Sequence, residues 1–441
     1  MNRMHTLYPL RQELQHRLDT LARVHNVPGA QLVVDTGAEM VAVHTGTADV
    51  ATGVPFTADT AVPLGSLTKP FTAALVLLLA DDGDLDLDDS VAEYLPEFRD
   101  VPAVTVRQLL SHTGGLPTGP DSDTAARTTP ARYLSSVCTA GDLLFEPGTD
   151  FSYSNAGFVA AGRLVEAVTG MPWYEAMEAL FLEPMGITPA FLGMTTARPV
   201  AAGHGLNIAT GRTRPVRQNL APLEAPAGAL LASAIDLGVL GRALAGQSVF
   251  LPPAIVKHMH HAEPCADPGA LADGWGLGVA LFQQDDRSWC GHDGNAQGTS
   301  CHLRVDPDSG VVVAFTGNAG TATALWRELA EDIAHIAGVP VPAAITPSNA
   351  GDPVAPPDCA GTYANGGIRY RIALEPGGAP TLSVDGDQPL PLRCYSDLSC
   401  DLVDPATGRG EPGGRFHRDP HTGVIDRVQI SGRTARRASF A

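Results

Sequence analysis

Residues 62–83, VPLGSLTKPFTAALVLLLADDG, set a serine three positions before a lysine at the head of an apolar run. Of the 29 Lys and Arg residues only Lys69 and Lys257 are lysines. An arginine guanidinium keeps its proton at any physiological pH, whereas a buried lysine ammonium can lose its own. A chain that otherwise writes its cations as arginine therefore keeps Lys69 where a base is useful. Three residues are just under one helical turn, so Ser66 and Lys69 share a face. A neutral amine there can accept the serine proton, and a helix N-terminus favours the developing negative charge. Gly65-Ser66 before the Ala/Leu-rich run, and Asp81-Asp82-Gly83 after it, predict a helix with Ser66 at or near its N-cap. Pro70 falls early enough to be tolerated. The competing reading is a capping serine beside a surface lysine.

Two further stretches bear on that choice. DFSYSNAGFVAAGRLVEAVTG places Tyr153-Ser154-Asn155 before an amphipathic helix ending at Gly170. WCGHDGNAQGTSCHLRVDPDSGVVVAFTGN places His292-Asp293-Gly294 at the start of a strand, with a hairpin turn at 306–310. In this order and spacing SxxK, YxN and HxG resemble the serine β-lactamase and penicillin-binding-protein superfamily. VTVRQLLSHTGGLP (104–117), LEPMGI (182–187) and PAGALLASAIDLGVL (226–240) are similar to its connecting segments. The resemblance spans about residues 8 to 338. It implies Ser66 as the nucleophile of an acyl-enzyme and Lys69 with Tyr153 as its proton relay, the two being coupled so that which is the base stays open. It also implies Asn155 bonded to Lys69 and to the substrate amide, and an oxyanion hole from the N–H groups of Ser66 and Asn295, next to Gly294.

The chain departs from the family pattern at the third motif. His292 stands where many relatives carry lysine, which removes a permanent charge at neutral pH. Asp293 stands where Thr or Ser is usual, and an aspartate there is expected to repel a substrate carboxylate. Both changes point away from penicillins and stem peptides. Relatives with this domain and a C-terminal lipocalin-like domain include esterases, D-stereospecific peptidases of the aminopeptidase or carboxypeptidase type, and penicillin-binding-protein-type thioesterases. The last release and macrocyclise nonribosomal peptides held on phosphopantetheine carrier domains. The resemblance thus implies an acyltransferase or hydrolase of a peptidyl thioester or ester, with a peptide cyclase first. An esterase or D-peptidase is the alternative, a β-lactamase follows it, and a non-catalytic sensor is the reading from another class. No cofactor or metal is implied.

The elements that must position these residues are legible as two domains in 441 residues. The formal charge of −19 excludes a nucleic-acid or anionic-membrane partner. The first residues show helical spacing and no secretory apolar run, and the seven cysteines are scattered without CxxC pairs, so a cytoplasmic location is expected. The expected fold is α+β: a β-lactamase/transpeptidase-like domain over 1–338, a proline-rich linker at 339–356, and a lipocalin-like β-domain over 357–441. The last is read from short alternating segments such as GIRYRIALE and VIDRVQISGRTARRASF. Arg433, Arg436 and Arg437 near its end are either a charged edge that discourages sheet pairing or include one arginine that reaches the site mouth to hold a carboxylate or phosphate. DDGDLDLDDS (81–90) lacks the Gly and Glu of a calcium loop, and KHMHHAE (257–263) lacks a full metal-ligand set. His112 reads as structural, and Cys290 and Cys301 as packing residues without a neighbouring base.

Overall fold

The computed structural model describes residues 3–119, 125–207, 209–343, 351–405 and 408–438, with side chains from residue 9 onward. The N-terminal periodicity forms helix α1 (Arg3–Val24), and strands β1 (Gly29–Asp35), β2 (Met40–Asp49) and β3 (Val54–Pro55) follow. The apolar run of SxxK is helix α2 (Thr68–Asp81), and the YxN motif opens α3 (Asn155–Thr169). Helices α4 (Ala234–Leu244) and α5 (Pro253–His260) lead to strands β4 (Gly274–Trp275), β5 (Ala280–Gln284), β6 (Arg287–Gly294), β7 (Ser300–Asp306) and β8 (Val311–Gly317), then to α6 (Ala322–Ala337). The eight strands make one antiparallel sheet in the order β3-β2-β1-β8-β7-β6-β5-β4.

Its central strands are buried on both faces, which is why β1 carries LVV and β8 VVVAF as apolar runs. The two-residue period still sorts their side chains. Val33, Leu303, Val312 and Ala314 enter the core shared with α2, α3 and α4. Leu32, Val34, Val313 and Phe315 enter the opposite core, closed by α1 and α6. Each large-to-alanine change in such layers costs about 2–5 kcal/mol. His292-Asp293-Gly294 ends β6 rather than starting a strand, since residues 287–291 before it already pair with β5, and Gly294 lies so close to the Leu64 carbonyl that an added Cβ would be 2.0 Å from its oxygen.

The C-terminal segments form eight strands: β9 (Gly361–Asn365), β10 (Ile368–Leu374), β11 (Pro380–Val384), β12 (Leu390–Cys394), β13 (Ser399–Val403), β14 (Gly410–Arg418), β15 (Ile425–Ile430) and β16 (Arg433–Arg437). Each pairs with the next, and β9 pairs with β16 through Tyr363↔Arg437, so the barrel is closed and has no free edge. In β10 the alternation is plain: Tyr370 and Ile372 are buried, Arg369 and Arg371 exposed. Tyr363, Tyr370, Leu382, Phe416 and Val428 fill the interior. The expected linker at 339–356 lies partly outside the described residues. No helix among the described residues is long and apolar enough to cross a membrane.

Candidate active site

Ser66 sits in a 3-10 turn, Gly65–Leu67, that feeds directly into α2. The expected capping role is absent: neither helical segment has a side-chain cap, and the serine Oγ faces Lys69. Gly65 has φ +54°, and a Cβ there would lie 2.3 Å from the Asn295 carbonyl oxygen. Only glycine allows this turn to lie against the loop after β6. As a result Ser66 and Asn295 line one cavity of about 450 Å³, together with Asn155, Glu224, Ala227 and Gly228.

Lys69 is fully buried. Its Nζ lies 3.2 Å from Ser66 Oγ and 3.0 Å from the Ala227 carbonyl, with the Tyr153 and Phe158 rings at 4.9 and 5.5 Å. Burial first, and then the charge of Arg433, hold its pKa well below the usual amine value, against an opposing pull from Glu224. Once the amine is neutral, one N–H can serve the Ala227 carbonyl while the lone pair faces the serine hydroxyl. Tyr153 is pushed the other way: burial raises its phenol to about 12, with the Ser66 hydroxyl and Arg433 opposing. The site therefore sets an amine whose ammonium form is disfavoured beside a phenol whose ionised form is disfavoured, both near one serine. The expected Asn155–Lys69 bond is not what the structure shows. Lys69 bonds Ser66 and Ala227, and Asn155 Oδ1 is buried without a partner among the described residues.

His292 is neutral. Burial, with Lys69 adding to it, brings its pKa down to about 4. Its Nδ1 lies 2.5 Å from the Asp293 carbonyl, which can only accept, so Nδ1 carries the proton and Nε2 is an unpartnered buried acceptor. Asp293 corrects the expectation of a repelling charge. Arg304 Nη1 and Nη2 donate to its carboxylate at 2.6 and 3.1 Å, and His302 Nδ1 lies at 2.7 Å. Desolvation would raise its pKa, but Arg304 and His302 outweigh that and hold the carboxyl far below the ordinary range. Its charge is thus matched from behind the strand by a fully buried guanidinium.

The three C-terminal arginines part company. Ser431 and Gly432, at φ +47° and +73°, make the two-residue turn between β15 and β16. That turn carries Arg433 into the site, with its guanidinium 5.2 Å from the Tyr153 ring centre. Arg436 is not at the site but donates to the Leu143 carbonyl at 3.0 Å. Arg437 is also remote, bonded to the carbonyls of Asp358, Ala360 and Ile425 where the barrel closes. The same hairpin supports the YxN segment: Tyr153 N–H donates to the Gly432 carbonyl at 2.8 Å, and Thr434 Oγ1 to the Phe151 carbonyl at 2.7 Å. Asn365 in β9 accepts from Thr118 N–H at 2.7 Å and donates to the Thr434 carbonyl at 2.9 Å.

His112 is structural. It is buried among Phe151, Tyr153, Phe158 and Trp275, and its Nδ1 accepts from Ser154 N–H at 3.0 Å. Cys290 corrects the sequence reading, since its Sγ lies 3.1 Å from His260 Nε2, yet burial pushes the thiol up, so the pair is inert. Among the described residues no group of three or more His, Cys, Asp or Glu converges as a metal site, at 81–90 or at 257–263. Glu224, Ala227 and Asn365 were missed by the sequence reading. Arg304 alone had a signal, a charge at an apolar position of a strand.

A family model described as Beta-lactamase matches residues 11–338. Penicillin-binding protein 4 of Amycolatopsis lactamdurans is 33% identical over 372 residues, covering 79% of this chain and 96% of its own. The solved structure of SurE is similar over 97% of this chain and 99% of its own, with 36% identity and a TM-score of 0.86, and that of SurE with D-Leu has a TM-score of 0.84 at 35% identity and the same coverage. A D-stereospecific amidohydrolase from a Streptomyces species is 27% identical with a TM-score of 0.59, covering 75% of this chain and 99% of its own.

Proposed function

The chain belongs to the beta-lactamase family of serine hydrolases, and from that premise we propose that it takes a peptidyl group from a thioester onto Ser66 and releases it by attack of the peptide's own amine. Lys69, whose ammonium burial disfavours, takes the Ser66 proton in its neutral form as Oγ bonds to the thioester carbon. The oxyanion is held by the Ser66 and Asn295 N–H groups. The C–S bond then breaks, and the Tyr153 phenol passes the proton to the leaving sulfur and is replenished from Lys69. In the second half the amine nitrogen bonds to the acyl carbon, the C–Oγ bond breaks, and the amine proton returns through the same relay to Oγ. Asn155 Oδ1, buried and unpartnered, suits an amide N–H of the acyl chain.

The observation that carries this reading is Arg433. With His292 neutral and Asp293 already matched by Arg304, the positive charge at the mouth comes from the barrel. A second domain that lends a residue and covers one side of the site also lowers water's access, which favours an amine over hydrolysis. The likeness to SurE with D-Leu and to a D-stereospecific amidohydrolase supports a D-configured residue at the acyl carbon. The amidohydrolase likeness equally favours a second reading, simple hydrolysis of D-residue amides or esters.

Intact-mass measurement after exposure to a peptidyl thioester ending in a D-residue, a p-nitrophenyl ester and penicillin separates these, with Ser66→Ala as control. Cyclic product from the thioester supports the cyclase, and hydrolysis alone supports the second reading. Absence of any Ser66 adduct or turnover would overturn both and leave a non-catalytic sensor.

A further inference from the structure

A two-stranded ribbon, Gly203–Asn207 paired with Arg212–Val216, stands at the rim of the Ser66 cavity and is fastened to its wall. His204 N–H donates to the Gly298 carbonyl at 2.8 Å, Gln218 Nε2 to the Gln297 carbonyl at 2.6 Å, and Asn219 N–H to Gln297 Oε1 at 3.4 Å. Gln218, Asn219 and Gln297 themselves line the cavity. Immediately beside them the chain carries Arg212, Arg214 and Arg217 within six residues. All three are exposed, and beyond the ribbon's own backbone pairing none of their side chains makes an ion pair or hydrogen bond with the described residues. Elsewhere many arginines are engaged, as at Arg17–Asp332, Arg198–Asp236 and Arg418–Asp358.

Three unengaged guanidinium groups are a concentrated positive field in a chain of net charge −19. Most of this surface repels an acidic partner; this rim attracts one. Arg212 and Arg214 alternate by two and share a face, and the span to Arg217 is about 17 Å of extended chain. One phosphate or carboxylate covers a fraction of that length, so the match is to a protein surface carrying several carboxylates. Charges on the edge of a ribbon also discourage strand pairing, but that role does not require the ribbon to be tied to the cavity wall.

We propose that Arg212, Arg214 and Arg217 form the docking surface for an acidic face of the carrier domain that delivers the acyl thioester to Ser66. The inference rests on the thioester reading of the site. Charge complementarity at such a rim sets association more than chemistry, and it weakens with salt.

The test compares the wild-type chain with the triple variant Arg212→Glu, Arg214→Glu, Arg217→Glu on two substrates bearing one peptide. In the first the peptide is loaded on a peptide-synthetase carrier domain; in the second it is an N-acetylcysteamine thioester. The expected result is a fall of at least tenfold in kcat/KM for the carrier-bound peptide at low salt, which narrows at high salt, with the small thioester within twofold of wild type. The triple variant with alanines should show a smaller fall in the same direction. An equal loss on both substrates, or no loss on either, overturns the docking surface while leaving the thioester reading intact. Wild-type enzyme that turns over neither thioester, yet hydrolyses a D-residue ester, overturns both.

Discussion

Lys69 can serve as a base only while it is neutral, and everything packed around it acts on that condition. Burial and Arg433 disfavour its ammonium, while Glu224 favours it. Replacing Lys69 by arginine keeps a long N–H donor but fixes a positive charge and its proton, so kcat should fall about 10²- to 10⁴-fold, the range for losing a positioned base. A p-nitrophenyl ester assay reads this directly. Arg433→Ala tests the electrostatic coupling. Removing that positive charge makes the ammonium less unfavourable, so the Lys69 pKa rises and the acid limb of kcat/KM moves to higher pH. Arg433→Lys should leave the limb near its wild-type position, and an unmoved limb in the alanine variant would show that Arg433 does not act on the base. At this scale much was legible in the sequence. A lysine kept in an arginine-rich chain, three residues after a serine, already pointed to this chemistry by residue type, with a capping serine beside a surface lysine as the competing reading. The tilt of the relay toward Lys69 was not legible, because it depends on desolvation and on an arginine 364 positions away.

Strand β6 ends the third motif, and its neighbours explain how an Asp fits there. Arg304, on the adjacent β7, is buried against the Phe282 ring at 4.1 Å and bonds both Asp293 and the Pro342 carbonyl. His302, which also meets Asp293, stacks on Trp326 of α6 with the planes 5° apart. Removing one partner of a buried pair costs about 3–5 kcal/mol, and Asp293 keeps 39% of its side chain exposed. Arg304→Met should therefore destabilise the chain by about 3 kcal/mol in urea unfolding. Adding Asp293→Asn should recover part of that loss, because the carboxylate left unpaired is then gone. A double variant no more stable than Arg304→Met would mean the pair is not what Arg304 contributes. The sequence placed the hairpin turn at 306–310 but misplaced the motif at a strand start. Glycines at 291 and 294 weaken the local strand signal, and pairing of β6 with β5 and β7 overrides it. His260, likewise, meets Cys290 only because α5 packs beside β6, and no spacing in the sequence announces that contact.

The whole molecule joins its two domains at the residues proposed to do the chemistry. Short strands with turn signals made the barrel legible, whereas the contacts of Gly432, Thr434 and Asn365 with residues 118 and 151–153 cross more than 200 positions and carry no periodic signal. Only the Tyr153–Gly432 bond joins backbone to backbone; the other two use the Asn365 amide and the Thr434 hydroxyl, each meeting a backbone group of the other domain. The outer ion pairs, Arg415–Asp267 and Arg327–Glu411, join half-exposed groups and contribute at most about 1 kcal/mol each. The inner hydrogen bonds are buried and are not screened by salt. Calorimetry of the intact chain should thus give one cooperative transition, moved little by high salt, rather than separate melting of the barrel. Asn365→Ala leaves the Thr118 N–H without its acceptor and should cost about 1–3 kcal/mol. Ending the chain at residue 343 is more severe, because it also takes the Gly432 carbonyl from Tyr153 N–H and Arg433 from the ring. A displacement near 1 Å in the relay is enough for about a 10²-fold loss, so the shortened chain should lose at least that much kcat/KM on a p-nitrophenyl ester. If circular dichroism shows the shortened chain folded and its ester turnover is within a few fold of wild type, the barrel does not hold the proposed relay tyrosine in place.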